Sequence, residues 1–145
     1  MAQARFLILL LLVSGCASTG SGGTSPLAGK WLGQSSVNYE TRCWINHRRP
    51  DGTYELTFLI DSSSAPKRIV EEGLWLHSHG VYATIAQKMN GTPIDLRNKF
   101  YREFYRIEVL DDQQFVYSEI ATGARFRVVR VPDSFVLGDR CPSGT

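Results

Sequence analysis

The sequence predicts an all-β domain, folded as an antiparallel meander or barrel of about eight strands. Short stretches that alternate apolar and polar residues recur along the chain at roughly 8–15-residue spacing. Turn-forming sequences such as Pro50-Asp51-Gly52 and Asn90-Gly91 separate these stretches. No strand–helix–strand pattern repeats, so a parallel sheet is excluded, whereas a closed barrel, an open barrel and a sandwich all remain compatible.

The first half of the domain contains three predicted strands. Gly29–Val37 and residues 41–47 are the first two, and both alternate large side chains with small or polar ones. Pro50-Asp51-Gly52 then predicts a tight hairpin, because glycine accepts a positive φ and proline cannot lie inside a ladder. Residues 54–61 alternate regularly and predict a third, half-buried strand.

The second half continues the pattern with one ambiguous segment. Residues 68–76 predict a strand in which Gly73 marks a bulge or bend. In residues 94–102, apolar side chains are spaced as in one or two helical turns. The other predicted strands are residues 81–88, 105–109, 115–117 and 126–131.

The start of the chain has the pattern of a secretory signal. Arg5 precedes the apolar run 6–13, and small residues follow up to Cys16. The run is much shorter than the about 20 apolar residues of a transmembrane helix. Val13-Ser14-Gly15-Cys16 resembles the lipobox of bacterial lipoproteins. The resemblance implies cleavage before Cys16, a lipid on its sulfur and acylation of its new amine.

A Gly/Ser-rich stretch after Cys16 predicts a flexible tether. We therefore divide the chain into a signal peptide (1–15), a tether (16–27) and a barrel domain (28–145). Ala17 and Ser18 follow the cysteine, and the absence of an aspartate there favours the outer membrane, with the domain facing the periplasm. The expected partner of this end of the protein is thus a membrane, reached through the lipid.

Cys43 and Cys141 form a pair once Cys16 is assigned to lipidation. Export places them in an oxidising compartment, so we predict a disulfide. Free thiols or metal ligands are the alternatives, but metal sites show close Cys/His spacings and only His47 lies near Cys43. The chain has 16 basic and 14 acidic residues, and this balance gives no indication of nucleic-acid binding.

Gly29-Lys30-Trp31 resembles the Gly-x-Trp motif that opens the lipocalin barrel. The resemblance implies that Trp31 plugs the closed end and that an arginine of the last strand packs across it, with Arg130 as the matching residue. The chain departs from typical lipocalins because too few residues follow the last strand for their C-terminal helix. It is more similar to small, helix-poor bacterial lipocalin-like domains.

No catalytic motif accompanies this pattern. The sequence lacks a Gly-x-Ser-x-Gly elbow, a His-Glu-x-x-His helix and a phosphate-binding loop. His77 and His79 could join His47 at a metal, but they adjoin a predicted turn, where exposed histidines are usual. Adjacent Glu71 and Glu72 point to opposite faces of a strand. We expect no enzyme activity, no cofactor and no metal site.

Aromatic residues are the best candidates for a binding site. An eight-stranded barrel is either filled by side chains or holds one small ligand, and the sequence leaves both open. Dense aromatics with two arginines predict a mouth that binds an apolar or amphipathic molecule, with the arginines contacting a carboxylate. The predicted ligand-binding residues are Tyr54, Trp75, Phe100, Tyr101, Arg102, Phe104, Tyr105 and Arg106. The alternative is an envelope protein as partner, bound by a lipoprotein with a filled barrel.

Overall fold

The computed structural model describes residues 25–37, 40–61 and 65–143. Cys16 and the predicted signal peptide lie outside these residues, as does most of the tether. No helix in the described ranges is long and apolar enough to cross a membrane. The strands are β1 (Gly29–Val37), β2 (Glu40–Arg48), β3 (Thr53–Asp61), β4 (Lys67–Ser78), β5 (Val81–Met89), β6 (Thr92–Pro93), β7 (Arg102–Leu110), β8 (Gln114–Glu119) and β9 (Arg125–Val131).

Eight of these strands close into an antiparallel barrel, and this confirms the predicted lipocalin-like fold. Each strand pairs with its neighbour in sequence, except that β5 pairs with β7 across the short β6. The ring closes where β1 pairs with β9, with Trp31 opposite Arg130. Closure leaves the barrel strands with partners on both sides, which removes the exposed edges of an open sheet.

Local sequence signals explain two irregularities of the barrel. The register between β4 and β5 shifts at Glu72/Gly73, so the predicted bulge at Gly73 is confirmed. A Cβ atom on Gly73 would lie 2.2 Å from the carbonyl oxygen of Ile85, and glycine alone therefore fits there. The ambiguous segment 94–102 contains one 3₁₀ turn, Lys99–Tyr101, before β7 begins.

One end of the barrel is plugged by Trp31. Its side chain is fully buried, and its indole Nε1 donates a hydrogen bond of 2.9 Å to the carbonyl of Leu27. The guanidinium of Arg130 lies 4.2 Å from the Trp31 ring centre and donates to the carbonyls of Pro26 and Ala28. Leu27, assigned to the tether from the sequence, is itself fully buried in this plug.

The C-terminal segment after β9 packs on the outside of the barrel. Leu137 is buried against the outward side chains of β1–β3, together with Leu32, Ile45 and Leu59. The predicted disulfide is confirmed: Cys43 and Cys141 are bonded, with their Cα atoms 5.7 Å apart. The described residues after β9, 132–143, thus cover part of the barrel wall without a helix.

Candidate functional site

The half of the barrel opposite the plug contains a partly open cavity of about 200 Å³. Apolar cavities of about 150 Å³ bind benzene, whereas drug-sized ligands occupy roughly 300–1,000 Å³, so this space suits a compact molecule. Its aromatic lining consists of Trp44, Tyr54, Phe58, Tyr82, Tyr105, Tyr117 and Phe126. Leu56 completes the apolar lining, and the polar lining residues are Asn46, Glu71, Thr84 and Glu103.

Strand periodicity determines which side chains face the cavity. Alternate residues of a strand point to opposite faces, so one inward residue fixes its neighbours two positions away. On β2, Trp44 and Asn46 both line the cavity, and on β7 Glu103 and Tyr105 do so. Their neighbours on β7, Arg102 and Phe104, face outward and are exposed.

The aromatic side chains form a continuous wall. Tyr105 packs edge-on against Tyr117 at 5.1 Å and stacks on Tyr82 at 5.4 Å between ring centres. Tyr117 stacks on Phe126 at 5.3 Å, and Trp44 stacks on Phe58 at 6.0 Å. Offset and edge-to-face contacts of this kind are favourable and fix the rings relative to one another. Packing among these side chains alone therefore fixes the shape of the cavity wall.

Gly33 gives the indole of Trp44 its place in this wall. Gly33 is paired with Trp44 across β1 and β2, and both lie on the inner face. A Cβ atom on Gly33 would lie 2.1 Å from Trp44 Cε2, far inside contact distance. The missing side chain lets the ring lie across β1, so one glycine helps to shape the cavity.

A buried arginine lies beneath the cavity. Arg48 is 1% exposed, and its Nε donates a hydrogen bond of 3.0 Å to Tyr82 Oη. Its guanidinium stacks over Tyr82 at 4.5 Å and over Phe115 at 5.2 Å. Arg48 does not line the cavity. It supports the floor formed by Tyr82 and separates the open half from the plug around Trp31.

Two carboxylates enter the cavity from the strands β4 and β7, which lie on either side of β5 in the wall. Glu71 on β4 accepts a hydrogen bond of 2.5 Å from Tyr54 Oη at its Oε1. Glu103 on β7 accepts from Tyr105 Oη at 2.5 Å and from Thr84 Oγ1 at 3.4 Å, both at its Oε2. Burial raises the pKa of Glu71, the negative charge of Glu103 raises it further, and the Tyr54 hydrogen bond opposes both.

Replacing Glu71 with glutamine should stabilise the protein at neutral pH. The raised pKa means that folding favours the protonated acid, so its contribution is full below the unfolded value of 4.5 and falls as the pH rises through the folded pKa. Glutamine keeps an acceptor for Tyr54 without the charge. Thermal melts should show a higher Tm for E71Q at pH 7.5 and a smaller difference at pH 4. Glu72→Gln, on the outer face beside Lys88, is the matched control and should show no such gain. Equal Tm differences at both pH values would contradict the assignment.

The structure places the predicted ligand-binding residues in three different locations. Tyr54 and Tyr105 line the cavity. Trp75 is 7% exposed and packs in the core, where its Nε1 donates to the carbonyl of Arg49. The other predicted residues do not line the cavity, since they lie on the outer face or in the 3₁₀ turn at the mouth: Phe100, Tyr101, Arg102, Phe104 and Arg106.

The expected carboxylate-binding arginines are therefore not at the cavity. Arg102 and Arg106 are exposed, and Arg102 donates instead to the carbonyl of Leu96. The side chains that the prediction did not select include Phe58, Phe126, Tyr117, Glu71 and Glu103. Strand parity is the signal that could have found Glu103, because it lies two residues before the inward Tyr105.

The histidines lie apart from the cavity. The ring of His77 stacks on Trp75 at 6.4 Å, and His79 lies in the turn before β5 with a φ of 51°. Pairing in the β1–β2 ladder places His47 opposite Lys30. Within the described ranges, no three His, Cys, Asp or Glu side chains are grouped as metal ligands.

Comparison of the sequence with protein-family models and with curated proteins finds no match to either. Fold and cavity geometry are thus the basis for any functional conclusion.

Proposed function

We propose that the barrel binds one compact apolar or amphipathic molecule in its open half, as a lipid-anchored lipoprotein of the bacterial envelope. The proposed function is binding without catalysis. The observation that carries it is the aromatic-lined cavity of about 200 Å³, which occupies the end of the barrel that Trp31 does not plug. Ligand sites are typically concave and mostly apolar, with a few polar groups that orient the ligand.

The depth and volume of the cavity also limit which ligands fit. A long acyl chain needs a deep apolar channel, but Tyr82 and Arg48 close the floor in the middle of the barrel. A single ring or a short branched chain fits the available volume. We therefore narrow the predicted acyl-type ligand to a molecule of about the size of a substituted benzene.

Titration of the purified full-length protein with a panel of compact molecules tests the proposal. Phenethyl alcohol, phenethylammonium, phenylacetate and dodecanoate cover neutral, cationic, anionic and acyl ligands. Trp44 lines the cavity and reports entry through its fluorescence. A ligand present at about 100 times its Kd should add about 2.7 kcal/mol to the free energy of unfolding, visible as a higher Tm.

Leu56→Phe fills the cavity and should weaken binding by about tenfold or more, because the added ring occupies the ligand's volume. Leu74→Phe is the matched control, since Leu74 is 42% exposed on the outer face of β4 and the same change there should leave binding unaltered. If no panel member binds, or if L56F binds them as wild type does, the cavity is not a ligand site.

An apolar strip on the outer wall favours a second candidate, binding to another envelope protein. The ladders place Leu76 opposite Ala83 and Ala83 opposite Phe104, and Ile120 donates its backbone N–H to the carbonyl of Phe104. Leu76, Phe104 and Ile120 are each more than half exposed. A protein partner would bury this strip without using the cavity. Leu76→Asp with Phe104→Asp would then abolish complex formation, while ligand binding stayed intact.

Membrane attachment through Cys16 is the other part of the proposal, and it rests on the lipobox resemblance alone. One acyl chain binds a bilayer marginally, whereas two or more hold a protein stably. We expect Cys16→Ser to move the protein from the membrane fraction to the soluble fraction, with a mass that lacks the lipid. Membrane fractionation identical to that of wild type would contradict the anchor.

A further inference from the structure

The two glutamates in the cavity lack a cation. Within the described part of the chain, neither Glu71 nor Glu103 forms an ion pair, whereas the outward-facing Glu72 pairs with Lys88 and Glu108 with Arg125. Among the described residues, the hydrogen bonds to each inner carboxylate reach only one of its oxygens, Oε1 of Glu71 and Oε2 of Glu103. One acceptor oxygen of each side chain is left available.

Placing two negative charges in one apolar cavity opposes folding. Burial of an ionised carboxylate costs free energy unless a cation or several donors compensate it. The ordinary solution for a barrel interior is an apolar residue, and the aromatic wall shows that this chain uses such residues around the same cavity. A binding function explains why two acids are present there.

A third hydrogen-bond acceptor and the faces of the aromatic rings also favour a cationic ligand. Asn46 lines the cavity and is 7% exposed, and its Oδ1 accepts no hydrogen bond from the residues that the structure describes. A primary ammonium has three N–H donors and no acceptor, so it supplies what these oxygens lack. Aromatic faces attract a cation within about 6 Å of the ring centre, and the effect is stronger where water is excluded.

We propose that the ligand is a compact organic cation: a small apolar molecule that carries an amine in its ammonium form. This inference rests on the proposed function. The ammonium group lies between Glu71 and Glu103, and the apolar body packs against the wall that includes Trp44, Tyr105 and Phe126. This proposal narrows the apolar and amphipathic molecules considered above to cationic ones. The sequence had instead predicted a ligand with an anionic head group.

Other charged ligands fit the cavity less well. An anion would meet two carboxylates. The buried Arg48 has an Nη1 that donates no hydrogen bond to the residues that the structure describes, but it does not line the cavity and is stacked on Tyr82 and Phe115. Calcium takes six to eight oxygen ligands, which two carboxylates in an aromatic wall do not supply. Aromatic rings with carboxylates at one place suit an organic cation.

A charge-matched ligand series tests the proposal in the full-length protein. Phenethylammonium, phenethyl alcohol and phenylacetate share a ring and a chain but differ in charge. Isothermal titration should give a Kd for phenethylammonium at least about tenfold lower than for the alcohol, and lower still relative to phenylacetate. The double variant Glu71→Gln with Glu103→Gln should bind phenethylammonium at least about tenfold more weakly than wild type does. Its affinity for phenethyl alcohol should be unchanged.

Glu72→Gln and Glu108→Gln are the matched controls, because they change the same residue type on the outer faces of the same two strands, and they should leave every Kd unaltered. If the alcohol or phenylacetate binds as tightly as the amine, or if the double glutamine variant binds the amine normally, the cation inference fails and the ligand site remains. If no member of the series binds, both the inference and the proposed function fail. Circular dichroism of the variants confirms that each is folded.

Discussion

Replacing Trp31 with alanine should lower the free energy of unfolding by about 3–5 kcal/mol, the usual cost of truncating a buried aromatic residue. Trp31 is fully buried, packs edge-on against Phe115 at 5.9 Å between ring centres, and bonds the carbonyl of Leu27. Alanine would leave a cavity at the plug, an unpaired carbonyl and the Arg130 guanidinium without its ring. All three losses fall at the plugged end of the barrel, and each lowers the free energy of unfolding.

Urea denaturation followed by circular dichroism measures this effect. Trp31→Phe is the informative companion, since it keeps a ring under Arg130 but removes the N–H that bonds Leu27. We expect its loss to lie between wild type and W31A. A W31A protein within about 1 kcal/mol of wild type would show that the plug is not a main source of stability.

Removing the Cys43–Cys141 disulfide should cost about 2–5 kcal/mol, the range seen when small exported domains lose a native crosslink. The bond joins residues 98 positions apart, so it restricts the unfolded chain strongly. It also holds the outer segment, where the carbonyls of Leu137 and Gly138 accept hydrogen bonds from Arg68 of β4. The double variant Cys43→Ser with Cys141→Ser should unfold at a lower urea concentration than wild type.

Leu137→Ala with the disulfide intact separates the two contributions. It removes the buried contact of the segment and leaves the crosslink, so its loss should reflect packing alone. Alkylation of the native, non-reduced protein gives an independent check. Two reactive thiols in addition to any at Cys16, with an unchanged unfolding midpoint in the double serine variant, would contradict the prediction.

The fold was accessible from the sequence because its signals are local. Period-two alternation and turn residues such as Asp51-Gly52 fix where strands begin and end, and β1 has the bounds that the alternation predicts. The strand β7 is longer than predicted because its first residues, from Arg102, have a dense aromatic pattern that also suits a helical turn. Only pairing with β5 resolves that ambiguity.

The site was less accessible because it depends on barrel closure. The predicted aromatic cluster was dense in sequence, but alternation divides it, so Tyr105 turns inward while Phe104 and Arg106 turn outward. Glu71 and Glu103 are far apart along the chain, and they come to one cavity because β5 pairs with both β4 and β7. Whether both side chains line the same cavity depends on the stagger between strands, and no local sequence pattern reveals that stagger.

The point where the described chain enters the barrel lies at the end opposite the cavity opening. Arg130 holds the backbone at Pro26 and Ala28 against the plug, so the first described residues, from Ser25, enter the barrel at its closed base. A nine-residue strand tilted as in small barrels rises about 20–25 Å along the axis, and this distance separates the base from the opening. The proposed binding site therefore opens at the end of the barrel farthest from Ser25, and under the anchoring proposed at Cys16 this separation favours ligands dissolved in the surrounding water over lipids of the membrane.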